Sequence, residues 1–442
     1  MNGINQFFLA VFALCSVALQ SVASAETLQD SLISAMKEHP SVEVAEAGYM
    51  SALQDERRAF SGYFPEVNVS GAFGRVYQDN ATSRGLDVVR GAGYSGYGEG
   101  NITMRQHLFD GFKTTRKIDA AEAAALKKNL DILEVKNDLV FRVARSYLDL
   151  LRVGESIALL QEQRDKITEY EQKILSLVKE GLSDEVEGQQ ARDVRMIVDG
   201  VIAEYKGQFL SAKSKYTELT GQAAKGGFVV PESLAYYVSE NIEDEITLAN
   251  DYHYSVLIAD ADILAAESQM LAAKSEYYPD MDGEVSFAKT DKRDLIGGES
   301  KDVKALVRMN WNFSMGGKKA ANTKGLTYKY EAAKANKKDI LRKISQSIEN
   351  SYAQYDTAKQ KLALSTERIV LNRKLLDAYK SQYEGARISL LALMRAESQL
   401  FNARLEEIEN RYGLLLSEFY LLSSSGRLGS ILLGEYLQET HQ

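Results

Sequence analysis

Hydrophobic positions along the chain follow two different periods, and the points where the period switches divide it into elements. From Leu28 to Phe60 apolar residues recur at helical spacing, and Pro65 closes that stretch because proline disfavours helical geometry at the residue before it. Beyond it Val67, Val69, Phe73 and Tyr77 alternate with Asn68, Ser70 and Gly74, the period of a strand wet on one side only. Ile102, Met104 and Leu108 alternate in the same way with Asn101, Thr103, Arg105 and His107, and the polar, Gly-rich residues 79 to 93 between the two runs predict a hairpin loop. Helical spacing then continues without a proline from about Thr114 to Val178 and, later, from Lys318 to Tyr383. At 1.5 Å per residue each of these helices would be roughly 100 Å long. Within them Leu139, Ser146, Val153, Leu160, Ile167 and Ile174 form one seven-residue row, and Ile348, Tyr355, Leu362, Ile369, Leu376 and Tyr383 form another. A strict seven-residue period predicts left-handed supercoiling against neighbours, although the core of an ordinary bundle shares it. Gly181 and Gly385 end the two helices, and returning helices are predicted from about Asp184 to Leu219 and from Leu390 to Leu422.

This succession of elements occurs twice. His39-Pro40-Ser41-Val42 corresponds to His253-Tyr254-Ser255-Val256, and Tyr63-Phe64-Pro65 to Tyr277-Tyr278-Pro279, at a separation of about 214. Ser146-Tyr147 corresponds to Ser351-Tyr352, and Glu180-Gly181 to Glu384-Gly385, at about 205, so one loop between Pro65 and Ser146 is longer in the first half. The expected organisation is a signal peptide over 1–25 and a first repeat over 26–225, with a β-hairpin at about 64–110 and a helical hairpin at 114–220. A linker over 226–245 leads to a second repeat over 246–426, with a β-hairpin at about 280–314 and a helical hairpin at 318–424, and residues 427–442 form a tail.

The second hairpin shows the clearest strand. Val303, Ala305, Val307, Met309, Trp311 and Phe313 interleave with Lys304, Arg308, Asn310 and Asn312, which predicts one face in lipid and one in water. Soluble hairpins share that alternation. Four strands cannot close a barrel, since closure takes about eight, and unpaired backbone cannot face hydrocarbon. A membrane location for Val303, Val307, Met309, Trp311 and Phe313 therefore requires several chains, and three would supply twelve strands.

Composition narrows the function class. Of 442 residues 45% are hydrophobic and 26% charged, with only four prolines, which suits long helices and excludes a disordered or collagen-like chain. Phe7 to Leu19 is apolar and Ala23-Ser24-Ala25 gives the small-x-small pattern of signal cleavage, so an exported chain beginning at Glu26 is expected. The single cysteine, Cys15, lies inside that run, and without it the chain has no thiol for disulfides, metal or nucleophilic chemistry. No later stretch reaches about 18 apolar residues, so no transmembrane helix is predicted. A net charge of −9 argues against a nucleic-acid partner. His39, His107, His253 and His441 share no metal-ligand spacing and no catalytic motif is present, so neither cofactor nor enzymatic activity is expected.

Taken together, the repeat, the proline before each hairpin, the Phe-Asp-Gly at 109 to 111 with its counterpart Phe313-Ser314-Met315-Gly316-Gly317, and the tip glycines resemble the TolC family of outer-membrane export ducts over essentially the whole mature length. Residues 383 to 404, Tyr383-Glu384-Gly385-Ala386-Arg387 onward, look most like members serving type I secretion of large repeat-rich adhesins and toxins, while drug-efflux members share much of the pattern. The resemblance implies an α+β membrane protein: a homotrimer with a shared twelve-stranded barrel in outer-membrane lipid, continued by a coiled-coil helical barrel in the periplasm. It implies a periplasmic adaptor (membrane fusion protein) and an inner-membrane transporter of ABC type as partners, and an exported protein as cargo. Gly181, Leu182, Gly385, Ala386 and Arg387 would then form the tip that docks the adaptor. Where family members often carry two aspartates after the second tip turn, this chain has Ala392 and Arg395, with one extra residue near Ile388. Asp184, Glu185 and Glu187 are the alternative acidic lining of the entrance, or else solvated charges at a helix start. A periplasmic adaptor is the competing non-enzyme class, but one helical hairpin inserted in β domains would be expected of it, not two in a repeat.

Overall fold

The computed structural model describes residues 26–78, 93–224, 226–292, 299–313, 315–385 and 387–439. It forms two compact units, one of Met1–His39, Lys136–Ile242 and Ile348–Gln442, the other of Pro40–Val135 and Glu243–Ser347. The expected signal segment 1–25 and hairpin loop lie largely outside the described residues.

Helices α1 (Leu28–Glu38) and α2 (Pro40–Phe60) correct the single helix expected there. Pro40 lacks the N–H that would continue the ladder and holds His39 extended, at ψ 122°. The second repeat breaks at the matching His253, between α5 (Ile242–Tyr252) and α6 (Tyr254–Ser275), without a proline. There the imidazole Nδ1 accepts from the Ser255 N–H at 3.1 Å and caps the new helix. Burial pushes the His253 pKa down. The long helices are α3 (Lys113–Lys179) and α7 (Lys318–Glu384), each continuous for 67 residues, and their returning partners are α4 (Glu185–Thr220) and α8 (Leu390–Ser424). The predicted tail contains a further helix, α9 (Leu428–Glu439). Leu428 and Leu433 are buried, and Asn137 accepts a hydrogen bond from the Gly429 N–H at 3.0 Å.

In the first unit the seven-residue row of α3 is buried along its whole length, from Leu139 to Ile174. The matching row of α7 is buried at Ile348 and Leu376 and half-buried between them, while Leu364, Val370 and Leu371 are exposed. Within a single chain α3 is thus provided with neighbours on its apolar face and α7 only in part. The expected linker, 226–245, is fastened to the helices. Phe228 stands edge-on between Tyr147 and Tyr216, with ring centroids 5.2 and 5.5 Å away. The Tyr147 hydroxyl donates to the Val229 carbonyl at 2.7 Å and accepts from its N–H at 2.9 Å, and burial raises the Tyr147 pKa to about 12. Glu418, almost fully covered, accepts from the Leu234 N–H at 2.8 Å and from the Ser233 hydroxyl at 2.9 Å.

The second unit contains the sheet, with strands β1 (Glu66–Gln78), β2 (Gly93–Phe109), β3 (Asp280–Lys292) and β4 (Glu299–Asn310) in sequential antiparallel order. The β2–β3 pairing, Ile102 opposite Phe287 and Met104 opposite Val285, welds the two repeats into one sheet. A bulge between His107 and Phe109 lets Phe109 pair with Met281 and ends the ladder at the helix side. Gly111 and Phe112 follow with φ of 67° each, and Phe112 is the one non-glycine residue with positive φ among the described residues. A side chain at Gly111 would meet the Ser275 carbonyl at 2.8 Å and the Tyr278 Cβ at 2.9 Å, so only glycine fits.

Two measurements check this reading. Desolvation raises the Glu418 pKa above its ordinary value of 4.5, so the folded state holds the proton to higher pH than the unfolded state does. Stability from this group is therefore full below that ordinary value and falls as pH rises through the raised one. The melting temperature of the wild type relative to Glu418→Gln should decline across that window, and a constant difference would contradict the assignment. Gly111→Ala should destabilise the protein by more than the roughly 1–2 kcal/mol of a left-handed alanine alone, whereas Gly181→Ala, which has open space around it, should cost no more than that.

Candidate functional site

Two regions carry the predicted functional residues: the turns that join the helical hairpins, and the sheet. At the first turn α3 ends in a left-handed Gly181, φ 69°, and the Leu182 N–H reaches back to the Leu177 carbonyl at 2.8 Å. Leu182 is left exposed. Asp184 then caps α4 by accepting from the Val186 N–H at 3.1 Å, and the Ser183 hydroxyl donates to Glu187 at 2.6 Å. Asp184 therefore does the work of a helix cap, Glu187 is held within the turn, and Glu185 is exposed.

The second turn has the same length but a shifted glycine. Arg387 N–H donates to the Gln382 carbonyl at 2.9 Å, as Leu182 does to Leu177, and Ser389 caps α8 as Asp184 caps α4. In this register Gly181 corresponds to Ala386, which lies outside the described residues, and Gly385 corresponds to Glu180. Gly385 is accordingly not left-handed. The two tip glycines matched in the sequence are not structural equivalents, because the caps, not the glycines, define the register. Arg387 is exposed with no ion pair among the described residues. Ala392 is half-buried in the first turn of α8, which contains no acid, and exposed Arg395 donates to Gln190 of α4 at 3.2 Å.

Behind the turns Ile167, Ile174, Ala191, Leu376, Leu391 and Met394 join the ends of α3, α4, α7 and α8 into one apolar core. Around it lie ion pairs that the residue pattern had not singled out. Glu171, nearly covered, accepts from Arg195 at 2.6 Å, and Asp199 links Arg195 at 2.8 Å to Arg164 at 2.7 Å. Lys166 bridges Glu162 at 3.0 Å and the covered Glu397 at 3.1 Å, and Arg404 reaches Glu162 at 3.2 Å. Hydrogen bonds from Arg404 and Lys166 hold the Glu162 carboxyl below its usual range. The four-residue spacings Arg195–Asp199 and Glu162–Lys166 were visible signals, whereas the contacts between helices were not.

On the sheet, register places Val303 opposite Phe287, Val307 opposite Gly283 and Met309 opposite Met281, so these residues share a face. Val67, Val69, Ile102, Met104 and Val285 lie on it too. The opposite face carries Arg308 against Glu284 at 3.2 Å and His107 against Asp282 at 2.6 Å. Leu306 is an apolar exception there. β4 ends at Asn310, so Trp311 and Phe313 do not continue the strand as expected. Their rings pack together, centroids 4.8 Å apart, and the Trp311 indole N–H donates to the Tyr277 carbonyl at 3.1 Å. β1 and β4 are largely exposed, β2 and β3 are in good part half-buried, and β1 and β4 each leave one edge unpaired within the chain. Among the described residues no group of three or more His, Cys, Asp or Glu is placed to hold a metal, and no helix is long and apolar enough to cross a membrane.

The profile of the outer membrane efflux protein family matches residues 32–222 and 247–427, one match for each repeat. The outer membrane efflux protein BepC of Brucella suis is 20% identical over 441 residues, covering 98% of this chain and 93% of its own. Outer membrane protein TolC of Vibrio cholerae is 20% identical over 93% of each chain. Among solved structures, the Campylobacter jejuni CmeC outer membrane channel superposes with a TM-score of 0.80 at 14% identity, over 93% of this chain and 88% of that one. The Vibrio cholerae outer membrane protein VceC does so with a TM-score of 0.77 at 14% identity, over 90% of this chain and 96% of its own. With both repeats matched, the chain belongs to the outer membrane efflux protein family, as a TolC-type outer-membrane channel whose helical barrel extends into the periplasm.

Proposed function

We propose that this channel is the passive exit duct of a type I secretion machine, working with a periplasmic adaptor and an ABC-type inner-membrane transporter to release a large, acidic, repeat-rich protein such as an adhesin or RTX-like toxin. Channels of this family are trimeric and work with an adaptor and an inner-membrane pump, and the turns carrying Gly181, Leu182, Gly385 and Arg387 are the docking surface in this reading. The observation that carries the cargo class is Arg395, near the start of α8. Its first turn has no acid, and Arg395 stands exposed beyond it, oriented by Gln190. Three such arginines at a pore entrance would attract an acidic polypeptide and oppose the cationic compounds common among drugs. The resemblance of residues 383–404 to type I secretion members points the same way. Drug efflux is the second reading, favoured by the name of the similar protein BepC.

The lipid-facing assignment of Val303, Val307 and Met309 belongs to this proposal. The shared apolar face supports it, and Trp311 and Phe313 cap its helix-side end.

A strain lacking the gene should lose one very large secreted or surface protein while its susceptibility to small toxic compounds stays unchanged. Heightened susceptibility with an intact secretome would assign the channel to drug efflux. In planar bilayers Arg395→Glu should move the trimer's ion selectivity toward cations. Unaltered selectivity would remove Arg395 from the conduction path.

A further inference from the structure

The helix-side rim of the sheet exposes more apolar surface than the chain covers. Phe60 packs edge to face with Tyr63 and Phe64 after α2, at 5.8 and 5.7 Å between ring centroids. Phe109 and Phe112 do the same after β2, at 5.8 Å. Yet Phe112 is 64% exposed, Phe313 73%, and Met315 fully so. Hydrogen bonds brace the rim at Tyr63. The Tyr63 and Thr115 hydroxyls are hydrogen-bonded at 2.7 Å, and the Gln106 amide donates to the Tyr63 carbonyl at 3.0 Å.

Cations cluster within about one helical turn of the same rim. The last turn of α2 carries Arg57 and Arg58, α3 opens with Lys113, Arg116 and Lys117, and α7 opens with Lys318 and Lys319. Neither α3 nor α7 has an acid in its first turn. Part of this charge is used internally: Arg58 pairs with Asp55 at 2.9 Å, Arg116 with Asp119 at 3.1 Å, and Lys319 donates to the Asn312 carbonyl at 2.6 Å. Arg57, Lys117 and Lys318 are exposed and have no acidic partner among the described residues. Asp110, Glu276 and Asp280 also lie along the rim, where Asp110 caps α3 by accepting from the Thr114 N–H at 2.7 Å, so what distinguishes the rim is that these three cations are exposed and unpaired.

Exposed rings next to unpaired cations suit a membrane–water boundary, where rings sit at the depth of the headgroups and basic side chains meet phosphates. Because the helices extend into the periplasm, the rim from which they leave the sheet faces the periplasmic leaflet. A zwitterionic lipid would accommodate the rings but bring its own cation up to Arg57, Lys117 and Lys318, which are already without acidic partners among the described residues. From this charge complementarity we infer that the rim is a binding collar for anionic glycerophospholipid of the periplasmic leaflet. Arg57, Lys117 and Lys318 hold the headgroup, and Phe112, Phe313 and Met315 enter the acyl boundary. The collar rests on the sheet's place in the membrane and not on the identity of the cargo.

The test compares phosphatidylglycerol with phosphatidylcholine bound to the full-length trimer, by native mass spectrometry after extraction from vesicles containing both. The wild type should retain phosphatidylglycerol in preference, and raising the salt concentration should erode that preference. The triple variant R57Q/K117Q/K318Q should lose it by about five-fold for each basic residue removed, with bilayer conductance unchanged. Phe112→Ala with Phe313→Ala should lower retention of both lipids alike. Equal retention of the two lipids by the wild type, at low salt, would overturn the collar, as would a preference that survives in the triple variant. Conductance measured on the same preparations keeps failure of the collar separate from failure of the channel.

Discussion

A backbone N–H or C=O left without a partner cannot remain in hydrocarbon, and the rest of this protein's architecture answers that constraint. One chain supplies four antiparallel strands with one apolar face and two open edges. In water the face would be an aggregation surface, and in lipid the edges would be intolerable. Both problems are solved together when copies pair edge to edge into a closed barrel, as in the trimers of this family. Closure then makes the polar face of each strand the wall of an aqueous interior. With the apolar face in lipid, as proposed, Arg308–Glu284 and His107–Asp282 would meet water there.

The helices obey a softer version of the same rule. In the first unit α3 buries its seven-residue row completely, whereas α7 leaves Leu364, Val370 and Leu371 uncovered. A helix with a buried stripe and a second, unburied one is made for neighbours on both sides. Near the hairpin turns the apolar core is joined by covered carboxylates, Glu171 and Glu397, each matched by a cation from another helix. Such pairs contribute less to net stability than to register, because an unmatched buried charge would penalise any slipped packing.

Charge distribution connects structure to the functional proposals. Arg395 stands exposed just beyond an uncharged first turn of α8, and the rim of the sheet presents Arg57, Lys117 and Lys318 without acidic partners among the described residues, in a chain of net charge −9. In both places exposed cations lack an acidic partner among the described residues, which leaves them available to something that is not part of the chain. A polypeptide cargo and a lipid headgroup are the two anionic surfaces a channel of this kind meets.

Much of this was legible in the residues, for reasons that separate cleanly. Periods of two and of seven, the doubled His-x-Ser-Val and the proline ahead of each hairpin sufficed for the strands, the long helices and the repeat, because these features depend on spacing along one chain. What the spacing did not show depended on contacts made at a distance. His253 interrupts a helix without proline because its ring reaches a backbone N–H, and the supposed linker is fastened by Tyr147 and Glu418 from elsewhere in the sequence. Helix α9 forms where Leu428 and Leu433 find a core, and Trp311 leaves the strand to bond Tyr277. The tip glycines invited a match that cap geometry shifted by one residue. Local periodicity determined which elements exist and which face of each is apolar. Only tertiary structure decided where they end and what fastens them, since a cap, a buried carboxylate or a docked segment is defined by a partner that spacing alone does not name.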